Sequence, residues 1–113
     1  MGEVKEELRP TKVRVLGIDI AVIYDPEIDA ELLGCFCPEK LEIRIREGLP
    51  IENTRLILWH ELCHVVESLA EIKISESGIC MFSTAFIQMI KDNPHLAWWS
   101  FNIPEPGWTK PND

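Results

Sequence analysis

The sequence predicts an α+β fold: a small, mostly antiparallel sheet packed on two helices. Three observations predict it. The first half carries Val- and Ile-rich runs with period two, "KVRVLGIDIAVIYD" and "LEIRIR". The second half carries two stretches with helical apolar spacing, about 53–69 and 76–91. The length of 113 residues suits a single domain, 1–113, built on one modest core.

Residues 1–11 are charged and expected to fray. The run that follows reads as two short strands joined by a tight turn at Gly17-Ile18-Asp19. Residues 25–34, with Pro26 near the start and Gly34 at the end, read as a loop or one helical turn. In 41–46, Leu41, Ile43 and Ile45 alternate with Glu42, Arg44 and Arg46, which predicts a half-exposed strand. Asn53 or Thr54 is expected to cap a helix running to about Leu69. Its core stripe is Leu58, Leu62, Val65, Val66 and Leu69. Leu56, Ile57 and Trp59 flank the other side, so the helix is expected to be buried nearly all round. Ser75 caps a second helix from about Glu76 to Lys91, and Asp92-Asn93-Pro94 stops it. The tail, 95–113, is aromatic and Pro-rich; Trp98, Trp99 and Phe101 are expected to pack it against the domain.

The net charge of −8 argues against nucleic acid or an anionic membrane as partner, because either repels an acidic surface. No run approaches the 18 or so apolar residues of a membrane span, and the first fifteen residues lack the apolar stretch of a secretory signal. A cytoplasmic location is therefore expected, with Cys35, Cys37, Cys63 and Cys80 as free thiols. Cys35-x-Cys37 alone is only half of a second metal site.

The chemistry concentrates in "LWHELCHVVE", 58–67, which sets His60, Glu61 and His64 in the order H-E-x-x-H. Histidines at i and i+4 lie about 6 Å apart along one helix face, so both imidazoles can reach one tetrahedral ion. Glu61 points about 100° away, where it can hold a water bound to that ion and take its proton. Two histidines do not hold zinc, so a third protein ligand is needed. Glu76 opens the second helix, and a short turn at 70–75 folds it back toward the histidines; Glu67, Glu71, His95 and the cysteines remain alternatives. Glu67 lies about 10 Å beyond His60 along the axis, which suits a carboxylate that orients His64 or a loop better than a ligand. Tyr24 and His95 are candidates for stabilising an oxyanion.

Helix, H-E-x-x-H, short turn and a second helix opening on glutamate resembles the ImmA/IrrE-type zinc metallopeptidases, and most the compact versions found in phages and prophages. The resemblance covers 41–94. Glu76 falls at that family's glutamate ligand and Phe82 at its packing aromatic; Cys80 stands where the family has Asn or Asp, and Cys63 where it often has Gly. The resemblance implies a minimal zincin-like domain holding one zinc through His60, His64 and Glu76, with Glu61 as general base. It implies peptide-bond hydrolysis in one specific protein, with strand 41–46 as the edge along which the peptide lies. The alternatives are a zinc-stabilised interaction module without turnover and a zinc amidohydrolase acting on a small amide.

Overall fold

A computed structural model describes residues 8–101. The order is β1 (Lys12–Val15), β2 (Ile18–Asp25), β3 (Gly34–Cys37), a 3₁₀ turn (Pro38–Lys40), β4 (Glu42–Arg46), α1 (Ile51–Ala70), α2 (Glu76–Asp92) and α3 (Pro94–Phe101). The architecture is α+β, with one four-stranded sheet in the order β1-β2-β4-β3. Its outer pairs are antiparallel and its central pair, β2 with β4, is parallel. The sheet is thus mixed.

Leu16 and Gly17 make the β1–β2 turn, both at positive φ (49° and 83°). Two such residues form the primed turn whose twist matches a hairpin. Ile18 and Asp19, read from sequence as part of the turn, instead open β2. The expected fray does not extend to residues 8–11. Arg9 donates to both carboxylate oxygens of Glu47 at 2.8 and 2.9 Å, and its guanidinium lies 3.9 Å above the Tyr24 ring. Tyr24 Oη donates to the Pro10 carbonyl at 2.7 Å, and the Val22 N–H to that of Thr11 at 2.9 Å. Residues 1–7 of the expected fray lie outside the described residues.

Two corrections concern the strands. Part of the segment expected as loop or helical turn belongs to β3, which begins at Gly34. Strand 41–46 is not an edge: β4 lies between β2 and β3, with Ile43 and Ile45 fully buried. Those side chains meet Ile20 and Val22 from β2 and Leu62 and Val65 from α1 to form the core. On the other face of the sheet Arg44 donates to Glu42 at 2.6 Å and to Asp25 at 2.8 Å. The Glu27 N–H and the Arg44 guanidinium hold the Asp25 carboxyl below its usual range. A depressed carboxylate stabilises the fold above its unfolded value, near 4, and that stability is lost as pH falls through the lower folded value. Arg44→Met is therefore expected to lower the melting temperature at neutral pH. The gap from wild type should narrow in scans taken below about pH 4.

Pro50 is the N-cap of α1, and Asn53 and Thr54 lie inside its first turn; Thr54 Oγ1 donates back to the Pro50 carbonyl at 3.2 Å. The helix is not buried all round: Leu56, Trp59 and Val66 are exposed. One sheet and one neighbouring helix cover only two sides of it. The Ser75 hydroxyl caps α2 by accepting from the Gly78 N–H at 3.0 Å. Ser83, 1% exposed, lets α2 approach α1 closely, its hydroxyl 3.7 Å from Cys63 Sγ. After Asn93 the chain re-enters a helix, as Pro at a first helical position permits. The expected packing of the tail fails for Trp99 and Phe101, which are 75% and 66% exposed, since α3 touches chiefly α2. Residues 102–113 of that expectation lie outside the described residues. Among the described residues no helix is long and apolar enough to cross a membrane.

Candidate metal centre

α1 and α2 form a helical hairpin whose turn, 71–75, sits at one end of an open cleft. Glu71 closes α1 in the left-handed region (φ 57°), and the Ile72 N–H donates to the Glu67 carbonyl at 3.1 Å. The reversal brings the first residue of α2 over the histidine face of α1. His60 Nε2 lies 2.7 Å from Glu76 Oε2, and His64 Nε2 lies 3.3 Å from Glu76 Oε1. One ligating atom from each of His60, His64 and Glu76 falls within 4.8 Å of the others.

Two imidazole nitrogens and one carboxylate, all facing the same space, are a donor set for a borderline divalent ion such as zinc. The outer nitrogens of the rings support the fit. His64 Nδ1 is 3.1 Å from Glu67 Oε1, which leaves Nε2 as the ligating atom. The second oxygen of Glu67 accepts from the Ile74 N–H at 2.8 Å. That hydrogen bond first, and His64 second, hold the Glu67 carboxyl below its usual value. Glu67 thus joins a histidine to the interhelical turn. His60 Nδ1 faces Cys80 Sγ at 3.8 Å, and the same thiol lies 4.0 Å from Glu76 Oε2. Cys80 therefore occupies the space beside the outer nitrogen of His60.

Glu61 is not one of the three clustered donors and is 7% exposed. Burial pushes its carboxyl pKa up, His64 and His60 pull it back, and Glu76 adds to the rise. It reaches the cleft, of about 940 Å³, which His60, His64 and Glu76 line on one side and Gly34, Phe36 and Pro38 on the other.

The strand side of that cleft was not foreseen. Among the described residues β3 is the outer strand of the sheet on this side. The Arg46 N–H donates to the Leu33 carbonyl at 2.8 Å, so Leu33·Arg46 and Cys35·Arg44 are the bonded pairs of this ladder. The main-chain groups of Gly34 and Phe36 consequently point to the open edge. A Cβ on Gly34 would meet Ile57 Cγ2 at 2.6 Å and the Arg44 carbonyl at 3.2 Å, so only glycine lets β3 lie this close to α1. Gly34→Val is expected to destabilise the protein by about 1–3 kcal/mol in denaturant titrations. Unchanged stability would show that β3 moves freely from α1.

The other sequence candidates lie elsewhere. Tyr24 does not line the cleft; its hydroxyl is bonded to Pro10 and its ring lies beneath Arg9. His95 is exposed on α3 and outside the ligand cluster. Glu71 lines the cleft without joining the cluster. Cys35 and Cys37 sit on alternate residues of β3, with the Cys35 thiol pKa raised by burial and by Cys37, and they too are outside the cluster. All four cysteines are unbridged. No family model, curated protein or solved structure matches this chain.

Proposed function

We propose that the protein is a zinc-dependent peptidase that hydrolyses a peptide bond in a specific protein substrate, in the manner of the ImmA/IrrE-type enzymes its motifs resemble. The observation that carries the reading is the placement of Glu61. A carboxylate pressed into low-exposure surroundings stands next to three convergent metal donors, and all four open on one cleft.

His60, His64 and Glu76 hold the ion. When bound, zinc supplies Lewis acidity, polarising a carbonyl and making water easier to deprotonate. Glu61 accepts the proton of the attacking water and delivers it to the departing amine. Burial suits it to this, because a raised pKa brings a carboxylate nearer to the range where it both takes and gives a proton. The free edge of β3 receives an extended peptide through the main-chain groups of Gly34 and Phe36, which sets the scissile bond across from the histidines. This edge replaces strand 41–46 in that role. A cleft of about 940 Å³ beside the donors favours a peptide over a small amide.

The test is a comparison of cleavage products in a host proteome exposed to the zinc-loaded wild type or to Glu61→Gln. New termini dependent on Glu61 support the reading. Identical product sets, with zinc bound in both proteins, would leave a zinc-stabilised binding module in its place.

A further inference from the structure

In a chain of net charge −8, residues 77–90 carry no charge at all. They make up most of α2. One side of that helix, with Ile79 and Ser83, is buried in the domain. A surface helix ordinarily turns polar residues outward on the other side. Here Met81, Phe82 and Met89 are 69%, 57% and 51% exposed, and Ala85 between them is exposed as well. The apolar surface continues onto α1 through Trp59 and Val66. Those two, with Leu62, Ile74, Gly78 and Phe82, line a cavity of about 410 Å³ between the helices.

The order of residues along this face has a regular pattern of size. Gly78, Phe82, Ala85 and Met89 follow steps of four, three and four, the spacing of a seam between two helices. They alternate small, large, small, large. Turned end for end, the series becomes large, small, large, small. We propose that this face binds a second copy of the chain, with the two α2 helices antiparallel about a two-fold axis level with residues 83 and 84.

Each layer then pairs one large side chain with one small one. Phe82 lies over Ala85 of the second copy, and Met89 over Gly78, where the cavity beside Gly78 receives it. A two-fold contact must be self-complementary, and this sequence is. The area is also sufficient. Phe82, Met81, Met89, Trp59 and Val66 leave roughly 500 Å² of apolar surface open per copy. At an apolar share of about 60%, that corresponds to roughly 800 Å² per partner, the size of a standard stable interface. Antiparallel helices oppose their dipoles, and the seam sets no like charges against each other despite the acidity of the chain. Glu76 and Cys80 lie on the flank of α2 that meets His60, so pairing leaves the metal cluster facing outward.

Sedimentation equilibrium of the full chain tests the proposal. The expected result is twice the 13.0 kDa of one chain at micromolar concentration. Phe82→Glu should weaken association by roughly 100-fold, the loss typical of a buried anchor. The register is tested by exchange of volumes. Phe82→Ala sets Ala against Ala, and Ala85→Phe sets Phe against Phe, so each alone should weaken the dimer. The double variant Phe82→Ala, Ala85→Phe restores one large residue per layer and should recover it. Circular dichroism and melting of each variant separate lost association from lost fold. A wild type that stays monomeric assigns the face to another occupant, residues 102–113 or a different protein, and overturns the proposal. So does a dimer indifferent to Phe82→Glu, or one the double variant fails to restore.

Discussion

The double variant His60→Ala, His64→Ala is expected to retain no zinc after dialysis, while the wild type retains one ion per chain by elemental analysis. The two imidazoles supply two of the three donors that converge within 4.8 Å, and Glu76 alone, with its side chain 65% exposed, is an ordinary surface carboxylate. The stability of the wild type should rise with added zinc. A ligand that binds only the folded state adds RT ln(1 + [L]/Kd), about 4 kcal/mol at a thousandfold excess over Kd. In the double variant the melting temperature should not respond to zinc at all. Stoichiometric zinc in the variant would place the ion elsewhere and remove the basis of the proposed chemistry.

Glu61→Gln should separate activity from stability. The variant is expected to keep one zinc, because Glu61 is not among the three donors. Turnover of a confirmed substrate should fall by about 10²–10⁴, the usual consequence of losing a general base. Its melting temperature in the metal-free state should be equal to that of the wild type or higher. The wild-type carboxylate is held where burial disfavours its charge, and an amide of the same shape is free of that penalty. Calorimetry of the metal-free proteins and a cleavage assay of the loaded ones decide the matter. Unchanged turnover would exclude Glu61 as base, and a collapse in stability would make it a structural residue.

What could be read from the sequence was what short-range rules control. Both helices announce themselves through apolar spacing sustained over sixteen or more residues, and Ser75 is recognisable as a cap because its hydroxyl stands immediately before the second of these runs. The proximity of His60, His64 and Glu76 follows from one helical period and one short turn. The sheet was harder. β3 is four residues, "GCFC", with Gly34 at one end and Pro38 beyond the other, and such punctuation looks like loop. Periodicity assigned Ile43 and Ile45 to a buried face, but nothing local says which strands flank theirs. That depends on the parallel pairing of Ala21 with Glu42, contacts far apart in the chain. The resemblance gives the outer position beside the cleft to 41–46, and the pairing of β4 with both β2 and β3 excludes it. The Asp25–Arg44–Glu42 cluster was hidden for the same reason. Trp99 and Phe101 stay exposed because aromatic content does not by itself supply a partner surface, and among the described residues α3 leans chiefly on α2.

The two oxygens of Glu67 have a consequence for the order of folding. One bonds His64 and the other the Ile74 N–H, so ligand geometry and interhelical turn are fixed by a single side chain. The four residues His60, His64, Glu67 and Glu76 span only part of one helical hairpin. Loops this short close in well under a microsecond, whereas the β2–β4 pairing must wait for a crossover that includes β3. On the proposed metal binding, an ion captured by the hairpin before the sheet has formed would hold α2 against α1 as the strands search for their register. In kinetic language the proposed metal site would then act as an early clamp. Refolding in the presence of zinc should then be faster than refolding of the metal-free chain, not merely more complete.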